Sequence, residues 1–388
     1  MARALYIHWP FCAKKCPYCD FNSHVRASVD VSGWQAALLA DMRAEHAVAG
    51  GEPLASIFFG GGTPSLMPPA LVQTLLAEAE KLWGFAPGIE ITLEANPSSV
   101  EALNFADLAL AGINRVSLGV QSLEDETLRW LGRLHGAQEA LNALETAQKR
   151  FSRVSFDLIY ALPGQTRAAW ESQLARALSF GTTHLSLYQL TIEPGTRFAT
   201  DVRRGVFEPL DDDAAADLFA LTQDMTRSAG LPAYETSNHA TPGSESRHNL
   251  TYWRYQDYCG IGPGAHGRRA GMATIRHKKP ENFLSAVSER QHGIAEARLL
   301  DPREQASEAL LMGLRLAEGV DLTALAERFG LARGELVDLA RVEHCEQIGL
   351  MRHEGSRLFV TEAGRPVLDA ILAQIVADDL VSPEAQSA

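Results

Sequence analysis

Residues 4–19 read Ala4-Leu5-Tyr6-Ile7-His8-Trp9-Pro10-Phe11-Cys12-Ala13-Lys14-Lys15-Cys16-Pro17-Tyr18-Cys19. The first five are a short apolar and aromatic run of the kind that forms a buried strand, and the run leads into a loop carrying three cysteines spaced C-x3-C-x2-C. In parallel α/β folds the chemistry lies at the carboxyl ends of the strands, so a strand that ends in a cysteine loop directs attention to the end of every later strand. Similar runs recur at residues 57–59, 89–93, 115–120, 154–160 and 184–190, and helical patterns separate them at 33–47, 69–83, 99–111, 137–150 and 168–180. Six strand and helix alternations require a parallel sheet with right-handed crossovers. They predict a partial (β/α)6 barrel of the TIM type over residues 1–195.

The three clustered cysteines need a chemical reason. Structural zinc takes four closed ligands, often as two C-x2-C pairs, and this loop has no evident fourth. A [4Fe–4S] cluster held by Cys12, Cys16 and Cys19 leaves one iron open to a small-molecule ligand. Cys259 and Cys345 stand alone and read as small buried hydrophobes. Five cysteines, an odd number, form no complete disulfide framework and suit a reducing cytoplasm.

Composition excludes several classes. The chain has 388 residues, 46% of them hydrophobic and 21% charged, which is ordinary globular usage. Its 35 basic and 48 acidic side chains give a net charge of −13, which disfavours a nucleic-acid partner. No apolar run is long enough to span a bilayer, and the first ten residues read as a strand instead of a signal peptide. After residue 195 the alternation ends. An acidic triplet opens a helix over 211–228, and residues 231–271, rich in glycine, aromatics and histidine, read as an irregular lobe within an extension over 196–300. Residues 301–388 carry helical patterns at 304–316, 322–329 and 334–348, a hairpin at 350–361 and a last helix at 364–376, which is a winged-helix-like α/β module. Its 8 basic and 16 acidic side chains, net −8, favour an interaction or lid role over DNA binding.

Polar groups interrupt the strand ends. Gly60-Gly61-Gly62-Thr63-Pro64 follows the second strand, where glycine allows close backbone approach to a ligand or simply makes a tight turn. Glu94 ends the third strand, Gln121 the fourth, and Asp157 lies in the fifth.

On these features the chain resembles the radical S-adenosylmethionine (SAM) superfamily. The segments YIHWPFCAKKCPYCDF, FFGGGTPS, LEANP, GVQS, DLIYALPGQT and GIGPGAHG are similar to those of its coproporphyrinogen dehydrogenase, HemN-like group, over nearly the whole chain. The resemblance implies a radical SAM barrel with a HemN-type C-terminal module. It implies a cluster whose open iron chelates SAM, and a SAM site lined by Tyr6, Tyr18, Gly61, Gly62, Thr63, Glu94, Gln121, Arg133, Asp157, Gln189 and His266. Phe21 stands where the oxidase-type enzymes carry a further cysteine, and their N-terminal extension is missing before Cys12; both departures count against coproporphyrinogen decarboxylation. His248-Asn249-Leu250-Thr251-Tyr252-Trp253 matches the H-N-x-x-Y-W pattern of the HemW type, which are heme chaperones. The resemblance thus implies heme as a third cofactor, His248 as its axial ligand, heme acceptors among respiratory-chain proteins, some of them membrane-bound, and a homodimer as one carrying form. Without it, the residues favour reading His248 as a hydrogen-bonded core histidine beside packed aromatics.

Overall fold

The computed structural model describes residues 3–377 and residue 380. The tail beyond residue 380, which the sequence suggests is frayed, lies outside the described residues.

The six expected strands are β1 (Ala4–Trp9), β2 (Leu54–Gly61), β3 (Phe85–Ala95), β4 (Arg115–Gln121), β5 (Arg153–Tyr160) and β6 (His184–Gln189), adjacent in that order and all parallel. The crossovers carry α1 (Val31–Ala49), α2 (Pro69–Trp83), α3 (Ala137–Arg150) and α4 (Arg167–Leu178). Between β3 and β4 the expected single helix is two short ones, Ser99–Leu103 and Phe105–Leu110, broken at Asn104, a residue that competes for backbone hydrogen bonds.

Period two governs each strand. Leu5, Ile7, Ile57, Phe59, Leu93, Val116, Leu118, Phe156, Leu158, Leu185 and Leu187 face the helices and join one core. The alternate residues include Ser56, Thr92, Arg115, Ser155 and Ser186, which are buried and polar. Strands of an ordinary parallel sheet are apolar on both faces. Here the inner face is a polar lumen.

Residues 231–271 are more regular than their composition suggests. They form β7 (Asn238–Ala240), antiparallel to β6, a helix α6 (Arg247–Trp253) that comes after α5 (Asp212–Ser228), and β8 (Tyr258–Ile261) and β9 (His266–Arg269). β8 is a seventh parallel strand, on the other side of β1. The glycines there serve a tight reversal: a Cβ at Gly260 would stand 1.8 Å from the His266 carbonyl oxygen, and Gly262 and Gly264 hold φ +90 and +80. β10 (Met272–Arg276), α7 (Pro280–Arg290) and β11 (Ile294–Leu299) complete an eleven-stranded open sheet.

A second core belongs to the C-terminal module, which contains α8 (Pro302–Gly313), β12 (Val320–Asp321), α9 (Leu322–Phe329), α10 (Leu339–Gln347), the hairpin β13 (Met351–Glu354) and β14 (Arg357–Val360), and α11 (Leu368–Ile375). The pattern read as one helix over 334–348 splits, because Asp338 caps α10 by accepting from the amides of Ala340 and Arg341. Cys259 and Cys345 are both buried in the cores.

Buried charge ties the added strands to α1. Arg276 is fully buried and meets Asp41 at 3.3 Å and Glu45 at 2.6 Å, while Arg269 reaches Glu45 at 2.5 Å. Asp41 also accepts the amides of Gly262 and Gly293. Removing one member leaves uncompensated charge in the core. Arg276→Met is expected to cost about 3–5 kcal/mol in urea unfolding, because it leaves Asp41 without a cation and Glu45 with Arg269 alone.

Candidate functional site

At the carboxyl ends of β1–β5 the lumen opens into a cavity of about 450 Å³. Its wall includes Cys12, Cys16 and Cys19, Tyr18, Gly61, Gly62 and Thr63, Glu94, Gln121, Arg133 and Asp157. All three cysteines and eight of the eleven residues expected to line SAM therefore come together. The volume suits a ligand of nucleoside size.

The cysteine loop is held at both ends. Cys12 lies in a two-residue strand, Phe11–Cys12, paired with His24–Val25, and the Cys19 amide turns back to the Cys16 carbonyl. Asn22 donates to the carbonyls of Pro263 and Lys278, and its own carbonyl meets His8 Nε2 at 2.9 Å. Burial lowers His8 to about 4, so this imidazole is neutral. The glycines of the second strand end serve the same loop. A Cβ at Gly61 would meet the His8 ring at 2.7 Å, and one at Gly62 would meet the Phe11 carbonyl oxygen at 2.7 Å. The side on which a Cβ would project is filled by protein, while both residues also border the cavity.

Two hydrogen-bond paths reach the sulfurs. Thr63 Oγ1 donates to Cys12 Sγ at 3.4 Å, and Arg133 points a terminal nitrogen at Cys16 Sγ at 3.6 Å. Asn96 joins them: its amide donates to Thr63 Oγ1 at 3.2 Å and its carbonyl oxygen accepts from Arg133 at 2.5 Å. Buried Glu101 holds Asn96 in turn, accepting its backbone N–H at 2.9 Å and the hydroxyls of Ser65 and Ser98. Sequence reasoning missed Asn22, Asn96 and Glu101. Asn96 sits in the LEANP segment, two residues past Glu94, but an asparagine before a proline reads as a turn residue.

The carboxylates lie deeper. Glu94 accepts the Gly61 amide at 3.3 Å, and Asp157 accepts the Ser117 hydroxyl at 3.3 Å. Burial and the neighbouring Asp157 push Glu94 up to about 8, and burial pushes Asp157 up to about 6. Burial also raises the thiols of Cys12 and Cys19. Gln121 adopts φ +70, a left-handed conformation that costs a non-glycine residue energy and tends to persist where function over-determines it.

Three expected residues lie off the cavity wall. Tyr6 is one layer down the lumen, with its hydroxyl 3.0 Å from His8 Nδ1. Gln189 commits its amide to the Ala215 carbonyl at 2.8 Å. His266 is exposed at the start of β9. His248 is at the other end of the lumen, on α6, and is 1% exposed. Its Nδ1 is 3.0 Å from Ser56 Oγ, its Nε2 is 2.6 Å from the Tyr252 hydroxyl, and its ring stacks on Phe58. Burial, with Arg115 nearby, lowers it to about 3, so the ring is neutral with both nitrogens engaged.

Among the described residues no three His, Cys, Asp or Glu side chains are grouped tightly enough to hold one metal ion. A [4Fe–4S] cluster asks for something else, since each thiolate binds its own iron and needs only to face a common space. The residues present fit it. Three thiols border one cavity, two of them already accept hydrogen bonds, and Arg133 Nε is buried with no protein partner.

A parallel barrel of this form with three cysteines on its first loop defines a class: residues 6–175 match the Radical SAM superfamily and residues 300–367 the HemN C-terminal domain. The Escherichia coli protein named Heme chaperone HemW is 37% identical over 384 residues, covering 97% of this chain and 98% of that one. Radical S-adenosyl methionine domain-containing protein 1, mitochondrial, of Mus musculus is 40% identical over 326 residues, 82% of this chain and 74% of that protein. The solved structure of coproporphyrinogen III oxidase (HemN) from Escherichia coli shares the fold at a TM-score of 0.81 and 21% identity, covering 95% of this chain and 89% of that chain. The chain belongs to the HemW family of the radical SAM superfamily.

Two outcomes test the site. Glu94 and Asp157 have folded values above their ordinary 4.5 and 3.8, so the folded chain binds more protons than the unfolded one across the interval up to about 8. Their contribution to stability is full below about pH 4 and is lost as pH rises through about 6 to 8. The fall in thermal midpoint between pH 6 and pH 9 should be smaller in Glu94→Gln than in the parent. Asn96→Ala removes one hydrogen bond from each of Thr63 and Arg133, the latter still held by the Gly119 carbonyl, and should shift the spectrum or potential of the reconstituted cluster while iron content stays near that of the parent.

Proposed function

We propose that this chain is a heme chaperone, which binds heme and passes it to acceptor proteins, and that it carries a SAM-bound [4Fe–4S] cluster on Cys12, Cys16 and Cys19. The observation that carries this reading is the HemW likeness along nearly the whole chain, which includes the His248–Trp253 segment on α6. A bound cluster supplies one-electron reducing power and an open iron for the amino and carboxylate groups of SAM. The chain's own part is to hold the three thiolates, to direct Thr63 and Arg133 at two of them, and to offer Glu94, Asp157 and the strand-end backbone to the ligand. Tyr6, Gln189 and His266 remain in the proposed SAM set as residues that a bound ligand must reach from beyond the cavity wall. The proposed division is barrel 1–195, extension 196–300 and module 301–388.

His248 is the proposed axial ligand. An imidazole ligates through a free nitrogen lone pair, and here both nitrogens are hydrogen-bonded. Heme ligation would therefore require His248 to give up one of these bonds, either that to Ser56 on β2 or that to Tyr252 within α6 itself. Three clustered free cysteines support a reducing, cytoplasmic location. Respiratory-chain acceptors and a homodimeric carrier belong to the same proposal.

Coproporphyrinogen decarboxylation is disfavoured at Phe21, which lines the cavity mouth at 60% exposure and supplies no ligand where a cysteine would. One experiment separates the readings. The reconstituted protein receives SAM, reductant and coproporphyrinogen in one assay, and heme with an apo-cytochrome in another. Heme retention and transfer without decarboxylated product is the expected result, and product without heme retention overturns the proposal. Ser at Cys12, Cys16 or Cys19 should abolish cluster absorbance, Ser at Cys259 should not, and His248→Ala should alter the heme spectrum with the cluster intact.

A further inference from the structure

The eleven-stranded sheet ends at β11, Ile294-Ala295-Glu296-Ala297-Arg298-Leu299, which is paired with β10 on one side. Among the described residues no strand pairs on its other side. All of its residues except Ile294 are exposed, Leu299 at 68%. An edge strand presents a row of unpaired N–H and C=O groups, so an open one is a template for a further strand. Its side chains alternate as regularly as those of the barrel. Ala295, Ala297 and Leu299 share one face, and Ile294, Glu296 and Arg298 share the other. Glu304 takes only the two terminal nitrogens of Arg298, at 2.6 Å each, and the arginine side chain remains 52% exposed.

We propose that β11 pairs antiparallel with β11 of a second copy of this chain, centred on Ala297, so that two sheets become one. The proposal rests on the homodimer of the preceding section and gives it an interface. In this register the strand is complementary to itself. A two-fold axis normal to the sheet sets Ala297 against its own copy, and it sets Glu296 against Arg298, and Ala295 against Leu299, twice each. Opposite charges then meet on one face and apolar side chains on the other, and both kinds of cross-strand pair stabilise an antiparallel ladder. Centring the pair one residue to either side sets Glu296 or Arg298 against itself, and like charges directly opposite are destabilising. The charges thus select one register. Charged side chains also guard edge strands against pairing. A guard of a single sign repels a copy of itself, whereas one charge of each sign, two residues apart, attracts it.

Sedimentation of the full reconstituted protein over a range of concentrations tests this. The parent should show a reversible equilibrium between monomer and dimer. Glu296→Arg and Arg298→Glu should each raise the dimer dissociation constant about tenfold or more, because each turns two attractive pairs into two repulsive ones. Glu296→Arg, at an exposed position, should keep the thermal midpoint of the parent, which shows that the sheet is folded. Mixed in equal amounts, the two single variants should form a heterodimer, since every charge again meets its opposite. The double variant Glu296→Arg with Arg298→Glu should dimerise like the parent for the same reason. A dimeric parent whose dissociation constant neither single variant changes overturns the β11 interface and leaves the homodimer standing. A parent that stays monomeric overturns the homodimer and the interface together, and makes the two charges guards of the edge.

Discussion

Everything in the barrel depends on the two-residue alternation of its strands. In Arg115-Val116-Ser117-Leu118-Gly119-Val120-Gln121 each apolar side chain goes to the helices and each polar or small one to the lumen. Burying a polar group without a partner costs on the order of 1–3 kcal/mol, so a lumen lined this way persists only because its members satisfy one another. Ser117 donates to Asp157, Ser155 pairs with His184, and Glu90 takes Arg153. The result is a barrel with a ligand-sized cavity at its mouth.

The same constraint explains how both ends of the lumen are finished. At the amino-terminal end α6 acts as a stopper, with Ser246 capping the helix and Glu90 accepting both the Ser246 hydroxyl and the His248 amide. At the carboxyl end the groups left over, Glu94, Asp157 and Arg133, face the cavity bordered by the three thiols. The strand-end glycines bring the cysteine loop down onto this mouth, and Asn22 fastens it to the turn after β8. The added strands β8–β11 are thereby part of the site's support, and the buried Arg276, Asp41 and Glu45 group that anchors them to α1 acts on the cysteine loop at one remove.

How much of this could be read from sequence differed by type of signal. The six parallel strands were legible because alternation and helical periodicity are local, and the three cysteines because their spacing is. The family resemblance supplied Arg133, whose own segment looks like a surface cation. Asn96 and Glu101 were not legible, since their importance lies in contacts with residues about 30 to 40 positions away, at Thr63, Ser65 and Arg133. The regularity of 231–271 was hidden because its glycines, needed for a close antiparallel turn, look like loop composition. At His248 the residue-level reading of a hydrogen-bonded core histidine describes the structure, and the ligand role rests on the resemblance.

Freeing His248 for a ligand has a cost that its contacts define. α6 has seven residues and is too short to be stable by itself, so its seat is made by tertiary bonds. Moving α6 as a unit gives up the His248 bond to Ser56 and the Glu90 contact to its amide, at a net of about 1 kcal/mol each, while the bond to Tyr252, on the same helix, moves with it. It also exposes the ring that stacks on Phe58, roughly a further 1 kcal/mol. Against this stands an iron–imidazole bond together with burial of macrocycle surface at about 25 cal/mol per Å², which for even 200 Å² gives about 5 kcal/mol. On the proposed chaperone reading, the return of His248 to its bonds in the lumen would offset part of the iron–imidazole bond and so favour release of the cargo.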